Sequence, residues 1–210
     1  MSANKAYIVG LTGGIASGKS EAAKYLESLG AYCVDADEIS RALTAPGGEL
    51  LPGIRAAFGD EVFNGDELNR RALAELVFGN QDKLRLLDSV TQPAIQKAMM
   101  DEVEAAARGG AQLVVLNVPL LFETAMDALC DETWLIAVDA DKQLERLMKR
   151  DGMDREHAEA RIASQMPQEE KLKRANVVID NNKSIDKMYA EIGGLYSALV
   201  KKVARLGEQA

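Results

Sequence analysis

A glycine-rich segment near the start of the chain restricts its fold more than any other feature. Residues 6–20 read AYIVGLTGGIASGKS, and a helical pattern, KSEAAKYLESLG, follows. The spacing from Gly13 to Ser20 fits G-x-x-x-x-G-K-[ST], in which backbone N–H groups wrap a phosphate and side chains have to be absent. Because an apolar strand precedes the segment and a helix follows it, we predict a nucleotide site here rather than a chance glycine turn.

Each residue type in this loop matches a requirement of phosphate binding. The helix after the loop directs its positive end at the anion. Lys19 is expected to reach the β- and γ-phosphates as a point charge, and the Ser20 hydroxyl is a candidate Mg²⁺ ligand. The predicted nucleotide-binding residues are Gly13, Gly14, Ile15, Ala16, Ser17, Gly18, Lys19 and Ser20.

The loop opens a chain that alternates strands and helices. The strand AYCVDAD follows the first helix, so the start of the chain is a βαβ unit, whose second strand is expected beside the first. The later apolar runs AQLVVLNV, TWLIAVDA and NVVIDN predict further strands, and amphipathic helices separate or follow them. The predicted fold is an α/β parallel sheet flanked by helices.

Residues 39–110 have a different texture. A loop-like stretch, TAPGGELLPG, precedes the helical patterns NRRALAELVFG, NQDKLRLLDSV and PAIQKAMMDEVEAAARGG. Pro93 is expected to be the first residue of its helix, where the missing N–H costs nothing. With no strand evident, the segment is interpreted as a helical insertion.

Composition excludes several classes of protein. The chain of 210 residues has a formal net charge of −8, which argues against a general nucleic-acid binder. No stretch approaches the ~18 apolar residues of a membrane span, and the first ten residues lack a secretory pattern. Cys33 and Cys130 lie far apart in the sequence and are expected to be small buried residues in a reducing cytosol. We therefore expect a cytoplasmic protein.

Two acids follow the second strand. Asp35 and Asp37 stand at the end of VDAD, and the carboxyl ends of strands in open α/β sheets face the ligand crevice. A carboxylate there can accept the proton of an attacking hydroxyl; alternatively, either acid caps the helix EISRALT. The chain lacks an NKxD-like segment, which disfavours a switch GTPase.

The combination of motifs resembles the dephospho-CoA kinase family over nearly the whole chain. The matching pieces are GLTGGIASGKS, VDADEISR, RRALAELVF, VPLLFE, QLERLMKRDG, EHAEARIASQ and VVIDNN, in that order. The resemblance implies a P-loop kinase that uses ATP and Mg²⁺ to phosphorylate the 3′-hydroxyl of dephospho-CoA, giving CoA and ADP in the last step of coenzyme A biosynthesis. No obligate protein partner is implied.

The resemblance also implies three parts. The nucleotide-binding core would comprise residues 1–40, 110–140 and 175–210, the helical acceptor insertion residues 41–109, and the lid residues 141–174. Asp37 would be the catalytic base, assisted by Lys19 and Arg146. Arg146 and Asn181 would contact the nucleotide, as would Gln165, and Arg150 and Arg161 would lie in or near the lid. Arg70, Gln92, Leu121 and Arg161, together with Asp37, would meet the acceptor.

Several of these assignments keep a simpler alternative. The arginines, including Arg71, are equally typical of solvated helix faces, and Leu121 of a strand end in the core. His157, on the lid helix, is expected to be a surface or packing residue. Another small-molecule kinase, such as a nucleoside monophosphate kinase, and a nucleotide-dependent regulatory protein are the rival functions.

Two positions depart from the family pattern. The family often has an acid where this chain has Asn117, and HP where it has Gln92-Pro93. An acid at position 117 could help to hold the water shell of the metal. Asparagine lacks the negative charge that this would use. Neither departure touches the phosphate loop or Asp37, so an active enzyme is still expected.

Overall fold

The computed structural model describes residues 5–207 and divides into two compact units. The described parts of Met1–Val34 and Val103–Ala210 form the first unit, and Asp35–Glu102 form the second. The strands are β1 (Tyr7–Gly13), β2 (Tyr32–Asp35), β3 (Phe63–Asn64), β4 (Glu67–Leu68), β5 (Leu113–Asn117), β6 (Glu132–Ala137) and β7 (Val177–Asp180). The α-helices are α1 (Lys19–Ser28), α2 (Ala36–Leu43), α3 (Leu51–Phe58), α4 (Arg70–Val77), α5 (Gln81–Arg108), α6 (Ala140–Asp151), α7 (Arg155–Ala163), α8 (Gln168–Arg174) and α9 (Ile185–Gly207).

The main sheet has five strands in the order β2-β5-β1-β6-β7. β1 pairs in parallel with β5 and β6, and β6 pairs in parallel with β7. This arrangement confirms the predicted parallel sheet flanked by helices. The expectation that β2 lies beside β1 was wrong, because β5 lies between them. The burial of the strands agrees with this order: β1 and β5 are almost wholly buried, whereas β2 is partly exposed, as suits a strand at the edge.

One core cluster of the first unit lies between the sheet and helices α1 and α9. Leu26 of α1, Trp134 of β6 and Ile192 of α9 are almost completely buried in this cluster. The rings of Tyr25 and Tyr189 stack with their centroids 4.3 Å apart, which adds an aromatic contact between the two helices. The face of α1 that is buried begins directly after the phosphate loop, so this packing fixes the position of the loop.

The second unit is largely helical, as predicted. Buried Ile54, Phe58 and Met99 contribute to its apolar interior. The expectation that this region has no strand was wrong, since β3 and β4 pair as a small antiparallel hairpin. Each of these strands has only two residues, too few to produce an alternating pattern in the sequence.

The placement of Pro93 at the start of a helix was also wrong. Pro93 lies inside α5, a continuous helix of 28 residues that joins the two patterns predicted separately. A proline cannot donate a hydrogen bond to the carbonyl four residues earlier, that of Ser89. Thr91 and Ile95, on either side of Pro93, are buried. We attribute the continuity of the helix to this packing, which outweighs the lost hydrogen bond.

The two cysteines are half-buried rather than fully buried, and neither forms a disulfide. The Cys130 thiol donates to the carbonyl of Met126 at 3.5 Å. Burial, with the nearby carboxylates of Asp127 and Asp131, raises the pKa of Cys130 to about 12, so this thiol stays protonated at neutral pH. Within residues 5–207, no helix is long and apolar enough to cross a membrane.

Candidate active site

The phosphate loop connects β1, in the middle of the sheet, to α1. Gly18 is the N-cap of α1, has φ of 94° and makes no side-chain capping hydrogen bond. The first turn of α1 therefore presents its backbone N–H groups without a side-chain cap, as an anion site requires. A Cβ at Gly18 would lie 2.2 Å from Nδ2 of Asn181, so both the backbone angle and the space demand glycine.

Amide side chains from elsewhere in the unit hold this loop. Gln143 of α6 donates to the carbonyl of Ile15 at 2.9 Å, and Gln165, after α7, accepts from the N–H of Ile15 at 2.8 Å. Asn181, directly after β7, donates to the carbonyl of Ser17 at 2.6 Å. Gln165 and Asn181 were expected near the nucleotide, and they lie against its binding loop. Gln143 was missed, since a glutamine on an amphipathic helix gives no distinctive signal.

Lys19 and Ser20 begin α1. The ammonium group of Lys19 donates to Oδ1 of Asn117, and Asn117 is buried at the end of β5. The departure at position 117 therefore lies directly against the lysine of the loop. Ser20 is exposed, whereas the buried hydroxyl oxygen of Ser17 has no hydrogen-bond partner.

These groups suit a triphosphate with a magnesium ion. The loop offers a cation, a helix N-terminus and the hydroxyl of Ser20 in one short segment. In the part of the chain that the structure describes, no group of three or more His, Cys, Asp or Glu could hold a metal. Magnesium fits this donor set, because it keeps several waters and is commonly held by substrate phosphates and few protein groups.

The arginines of α6 and α7 have two kinds of partner. Arg146 donates to the carbonyl of Asn181 at 3.1 Å, which places it beside a residue that holds the loop. Arg150 and Arg161 both contact the carboxylate of Asp151, with closest distances of 2.6 Å each. The hydrogen bond from Arg150 and the charges of both arginines lower the pKa of Asp151. Asp151, which sequence reasoning missed, thus restrains two of the predicted lid arginines.

The segment VPLLFE follows β5 in the first unit. Leu121 is completely buried and lies against Gly10 of β1, so in this structure it is a core residue and does not offer a surface to an acceptor. Its neighbour Leu120 is 39% exposed and is the leucine of this segment that solvent reaches.

Glu123, the last residue of this segment, forms an ion pair that sequence reasoning missed. Its Oε1 lies 2.8 Å from the ammonium nitrogen of Lys171, and it accepts from the N–H of Met166 at 3.0 Å. Lys171 is almost fully buried on α8. Its ammonium is paired by charge with Glu123, although the two groups are not aligned as a hydrogen bond. Glu123 therefore fixes the backbone next to Gln165.

The two acids after β2 have different environments. Asp35 is the N-cap of α2, and its carboxylate accepts from the N–H groups of Asp37 and Glu38 at 2.8 and 3.1 Å. The capping alternative is therefore the one that the structure supports for Asp35. Asp37 is exposed in the first turn of α2, and its side chain is not the cap.

The remaining candidates in the second unit lie on α4 and α5. Arg70 donates to the hydroxyl of Thr44 at 2.7 Å. Arg71 is exposed and pairs with Glu75 at 2.8 Å, so it is a surface cation. Gln92 lines a cavity inside this unit.

His157, on α7 in the first unit, is exposed, as expected. Its Nδ1 lies 2.7 Å from the carboxylate of Asp154, and this contact raises the pKa of the imidazole.

Comparisons with known proteins agree with this geometry. The sequence model of the dephospho-CoA kinase family matches residues 7–187. The dephospho-CoA kinase of Carboxydothermus hydrogenoformans is 43% identical over 186 residues, which cover 88% of this chain and 90% of that protein. That of Geobacillus kaustophilus is 44% identical over 176 residues, covering 83% and 87%. The crystal structure of TT1252 from Thermus thermophilus is 35% identical, covers 92% of this chain and 98% of its own, and superposes with a TM-score of 0.79. The protein therefore belongs to the dephospho-CoA kinase family, as its phosphate loop, the family match and these relatives all indicate.

Proposed function

We propose that this protein transfers the γ-phosphoryl group of ATP to the 3′-hydroxyl of the ribose of dephospho-CoA, giving CoA and ADP. This reaction is the last step of coenzyme A biosynthesis. The observation that carries the proposal is the phosphate loop, uncapped at α1 and held by Gln143, Gln165 and Asn181, in a chain whose family match spans residues 7–187.

The phosphate loop supplies the donor side of the reaction. The backbone of Gly13, Gly14, Ile15, Ala16, Ser17 and Gly18 would surround the phosphates of ATP. Lys19 would stabilise the negative charge that spreads over the transferred phosphoryl group. Ser20 would hold Mg²⁺, which neutralises charge on the β- and γ-phosphates when it is bound.

Asp37 is the residue that we assign as general base. Its exposed carboxylate would take the proton of the 3′-hydroxyl while the hydroxyl oxygen bonds to the γ-phosphorus and the bond from that phosphorus to the β,γ-bridging oxygen breaks. ADP then leaves with the bridging oxygen. Asp35 is assigned a supporting role, because its carboxylate is already engaged by two backbone N–H groups.

The arginines would complete the site from the lid. Arg146 donates to Asn181, beside the loop, and is assigned to the nucleotide and the transferred phosphoryl group. Arg161, which contacts Asp151 in this structure, would have to exchange that contact for one with the acceptor. Residues 141–174 are the proposed lid, 1–40, 110–140 and 175–210 the proposed nucleotide-binding core, and 41–109 the proposed acceptor insertion.

Arg70 and Gln92 are the acceptor-binding residues that we propose in that insertion. Arg70 provides a cation, and Gln92 provides an uncharged group that can both donate and accept hydrogen bonds. The reaction needs no nucleic acid, no membrane and no obligate protein partner. We place it in the cytoplasm.

One assay tests the function against both rivals. The purified protein is incubated with ATP and Mg²⁺ and, in separate reactions, with dephospho-CoA, AMP or adenosine, and the products are separated by mass. Formation of CoA and ADP with dephospho-CoA as the preferred acceptor is expected. Preference for AMP, measured as loss of AMP with two ADP formed for each ATP consumed, would indicate a nucleoside monophosphate kinase. Nucleotide binding without turnover of any acceptor would indicate a regulatory protein.

A further inference from the structure

The second unit contains a cavity of about 320 Å³ that lies entirely within residues 35–102. Its walls are mainly aliphatic and come from α2 and its C-cap, α3, β4, α4 and α5. The apolar lining includes Ile54, Leu68, Leu73, Val77, Leu87 and Ile95. A cavity with such walls favours an apolar or weakly polar occupant.

A few polar groups lie among these side chains. The carboxamide oxygen Oε1 of Gln92 is buried and accepts no hydrogen bond within the described chain. Asp88 lies one turn earlier on α5, and desolvation raises the pKa of its carboxyl group. The hydroxyl of Thr91 already donates to the carbonyl of Leu87 at 2.9 Å. The cavity therefore offers a hydrogen-bond acceptor that no protein group fills.

Positive charge in the cavity is limited. Arg70 is the cationic side chain of its lining, and one of its nitrogens donates to the hydroxyl of Thr44. Asp88 lines the same cavity with a carboxyl group. A buried acceptor without a donor is unfavourable, so the matching ligand would bring an N–H or O–H group rather than further negative charge.

Building on the proposed function, we infer that this cavity binds the pantetheine arm of dephospho-CoA. The arm is uncharged and carries two methyl groups, several methylene groups, two amide N–H groups and a hydroxyl. The methyl and methylene groups match the aliphatic walls, and an amide N–H matches Oε1 of Gln92. The cavity thereby recognises the part of the acceptor that distinguishes it from simple adenine nucleotides.

The other parts of dephospho-CoA fit this cavity less well. Adenine is commonly bound against aromatic rings or guanidinium planes, and the lining of the cavity includes no aromatic side chain. A diphosphate calls for several cations or a cluster of backbone N–H groups, whereas here one arginine shares the cavity with a carboxyl group. Chemical complementarity therefore favours the arm over either alternative.

The test combines a variant that obstructs the cavity with acceptors that carry or lack the arm. Ala74 lines the cavity and is solvent-exposed, so Ala74→Phe introduces bulk at the opening without overpacking the core. Ala56→Phe is the matched control, because Ala56 is exposed on α3 and does not line the cavity. Gln92→Leu removes the unfilled acceptor at similar volume. Thermal unfolding of each variant shows that it is folded.

The readout is the ratio of kcat/KM for dephospho-CoA to kcat/KM for AMP, which lacks the arm. Ala74→Phe should lower this ratio about tenfold or more, through KM for dephospho-CoA, and Gln92→Leu should lower it less. Ala56→Phe should keep the ratio of the natural chain. An equal loss with both acceptors, or no loss with either, would overturn the inference.

A binding measurement separates this inference from the proposed function. Calorimetry with 4′-phosphopantetheine should show binding to the natural chain and to Ala56→Phe, and at least tenfold weaker binding to Ala74→Phe. If the natural chain does not phosphorylate dephospho-CoA, the proposed function fails, and the calorimetry alone decides whether the cavity takes the arm. Equal affinity of all three proteins, or no binding to any, would reject the cavity as its site.

Discussion

The ammonium nitrogen of Lys19 lies 2.5 Å from Oδ1 of Asn117, so the first residue of α1 is tied to the last residue of β5. The partner is a neutral amide, which orients the ammonium group without cancelling its charge. A carboxylate at the same position would form an ion pair with it. The variants Lys19→Ala and Asn117→Asp separate the effect of the Lys19 charge from the effect of its partner.

Replacing Lys19 by alanine should lower kcat/KM roughly 10²-fold or more while the protein remains folded. The transition state loses a preorganised charge at the transferred phosphoryl group, and one such donor is typically worth ~3–4 kcal/mol. Steady-state kinetics with dephospho-CoA provide the measurement. Lys24→Ala is the control on the same helix, because the Lys24 side chain is 71% exposed. Near-normal turnover by a folded Lys19→Ala protein would refute the assignment of the ATP site.

Asn117→Asp should alter the dependence on magnesium more than the maximal rate. A carboxylate next to the phosphate loop can accept hydrogen bonds from the water shell of Mg²⁺, so the Mg²⁺ concentration for half-maximal activity should fall a few-fold. The added negative charge should also raise KM for ATP modestly. Titration of activity against free Mg²⁺ tests this. A titration of activity against ATP measures the second effect. If the Mg²⁺ and ATP titrations both match those of the natural chain, position 117 has no part in metal or nucleotide binding.

Asp37→Asn and Asp35→Asn should differ strongly in their effects on kcat. Loss of the general base should lower kcat roughly 10²- to 10⁴-fold in Asp37→Asn, with little change in the binding of dephospho-CoA. Asparagine is also a good N-cap, so Asp35→Asn should keep α2 and most of the activity. Asp35→Ala should instead cost about 1 kcal/mol of unfolding free energy. A larger kcat defect in Asp35→Asn than in Asp37→Asn would show that the two roles are reversed.

The ion pair of Lys171 and Glu123 should matter for stability and for nucleotide binding in different ways. Lys171→Met leaves the partly buried Glu123 carboxylate without its cation, and should lower the unfolding free energy by about 3 kcal/mol. Adding Glu123→Leu, which removes both the charge and the acceptor of the Met166 N–H, should recover much of that loss. KM for ATP should be raised in the double variant, because the backbone next to Gln165 loses its anchor at Met166.

Chemical denaturation and ATP saturation curves measure the two effects of this pair. Lys173→Met is the control on the same helix, since the Lys173 side chain is 68% exposed and should change stability little. Recovery of both stability and KM in the double variant would mean that the pair acts on stability alone.

Acidification should weaken the first unit through Glu132. Burial tends to raise the pKa of this carboxyl group, but hydrogen bonds from Trp134, Lys202 and Tyr7 outweigh it and lower the pKa. A carboxyl group with a lowered pKa in the folded state adds stability above its unfolded pKa of about 4.3, and that stability is lost as the pH falls through the folded value.

Glu132→Gln therefore should lower stability at pH 7 by about 1–2 kcal/mol and make it less sensitive to pH between roughly 5 and 3. Denaturant unfolding over this pH range is the measurement. Glu75→Gln is the control, because Glu75 forms an exposed pair with Arg71. It should change neither the stability at pH 7 nor the dependence of stability on pH. Parallel pH profiles for Glu132→Gln and the natural chain would show that the carboxylate is not linked to folding.

The sequence was sufficient for the features that have a fixed spacing. The phosphate loop, the parallel sheet and the closing helix α9 follow from local patterns of glycine, apolar runs and helical periodicity. The order of the strands could not be predicted in this way, because the pattern of a βαβ unit does not reveal that β5 lies between β1 and β2. Pro93 misled for a related reason: its local preference was outweighed by tertiary packing on both sides of it.

The residues of the candidate site likewise fall into those that the sequence identified and those that it did not. Gly13 to Ser20 could be identified because their spacing is dictated by the phosphate that they surround. Gln143 and Lys171 act on residues distant in the chain, and Asp151 acts on Arg150 beside it and Arg161 on the next helix. The side chains of all three are common on amphipathic helices, so none gives a distinctive signal. Asp35 shows the intermediate case, since its capping role was open in the sequence and only the hydrogen bonds to Asp37 and Glu38 distinguish the two acids.

The three side chains that hold the phosphate loop through Ile15 and Ser17 are uncharged amides. A carboxylate in any of these places would repel a triphosphate, and an ammonium or guanidinium group would compete with Lys19 for it. Amides do not titrate in the physiological range, and their hydrogen bonds are little affected by ionic strength. The rigidity of the loop is thereby separated from its electrostatic potential: salt and pH can change how strongly the nucleotide is attracted without changing the shape that receives it.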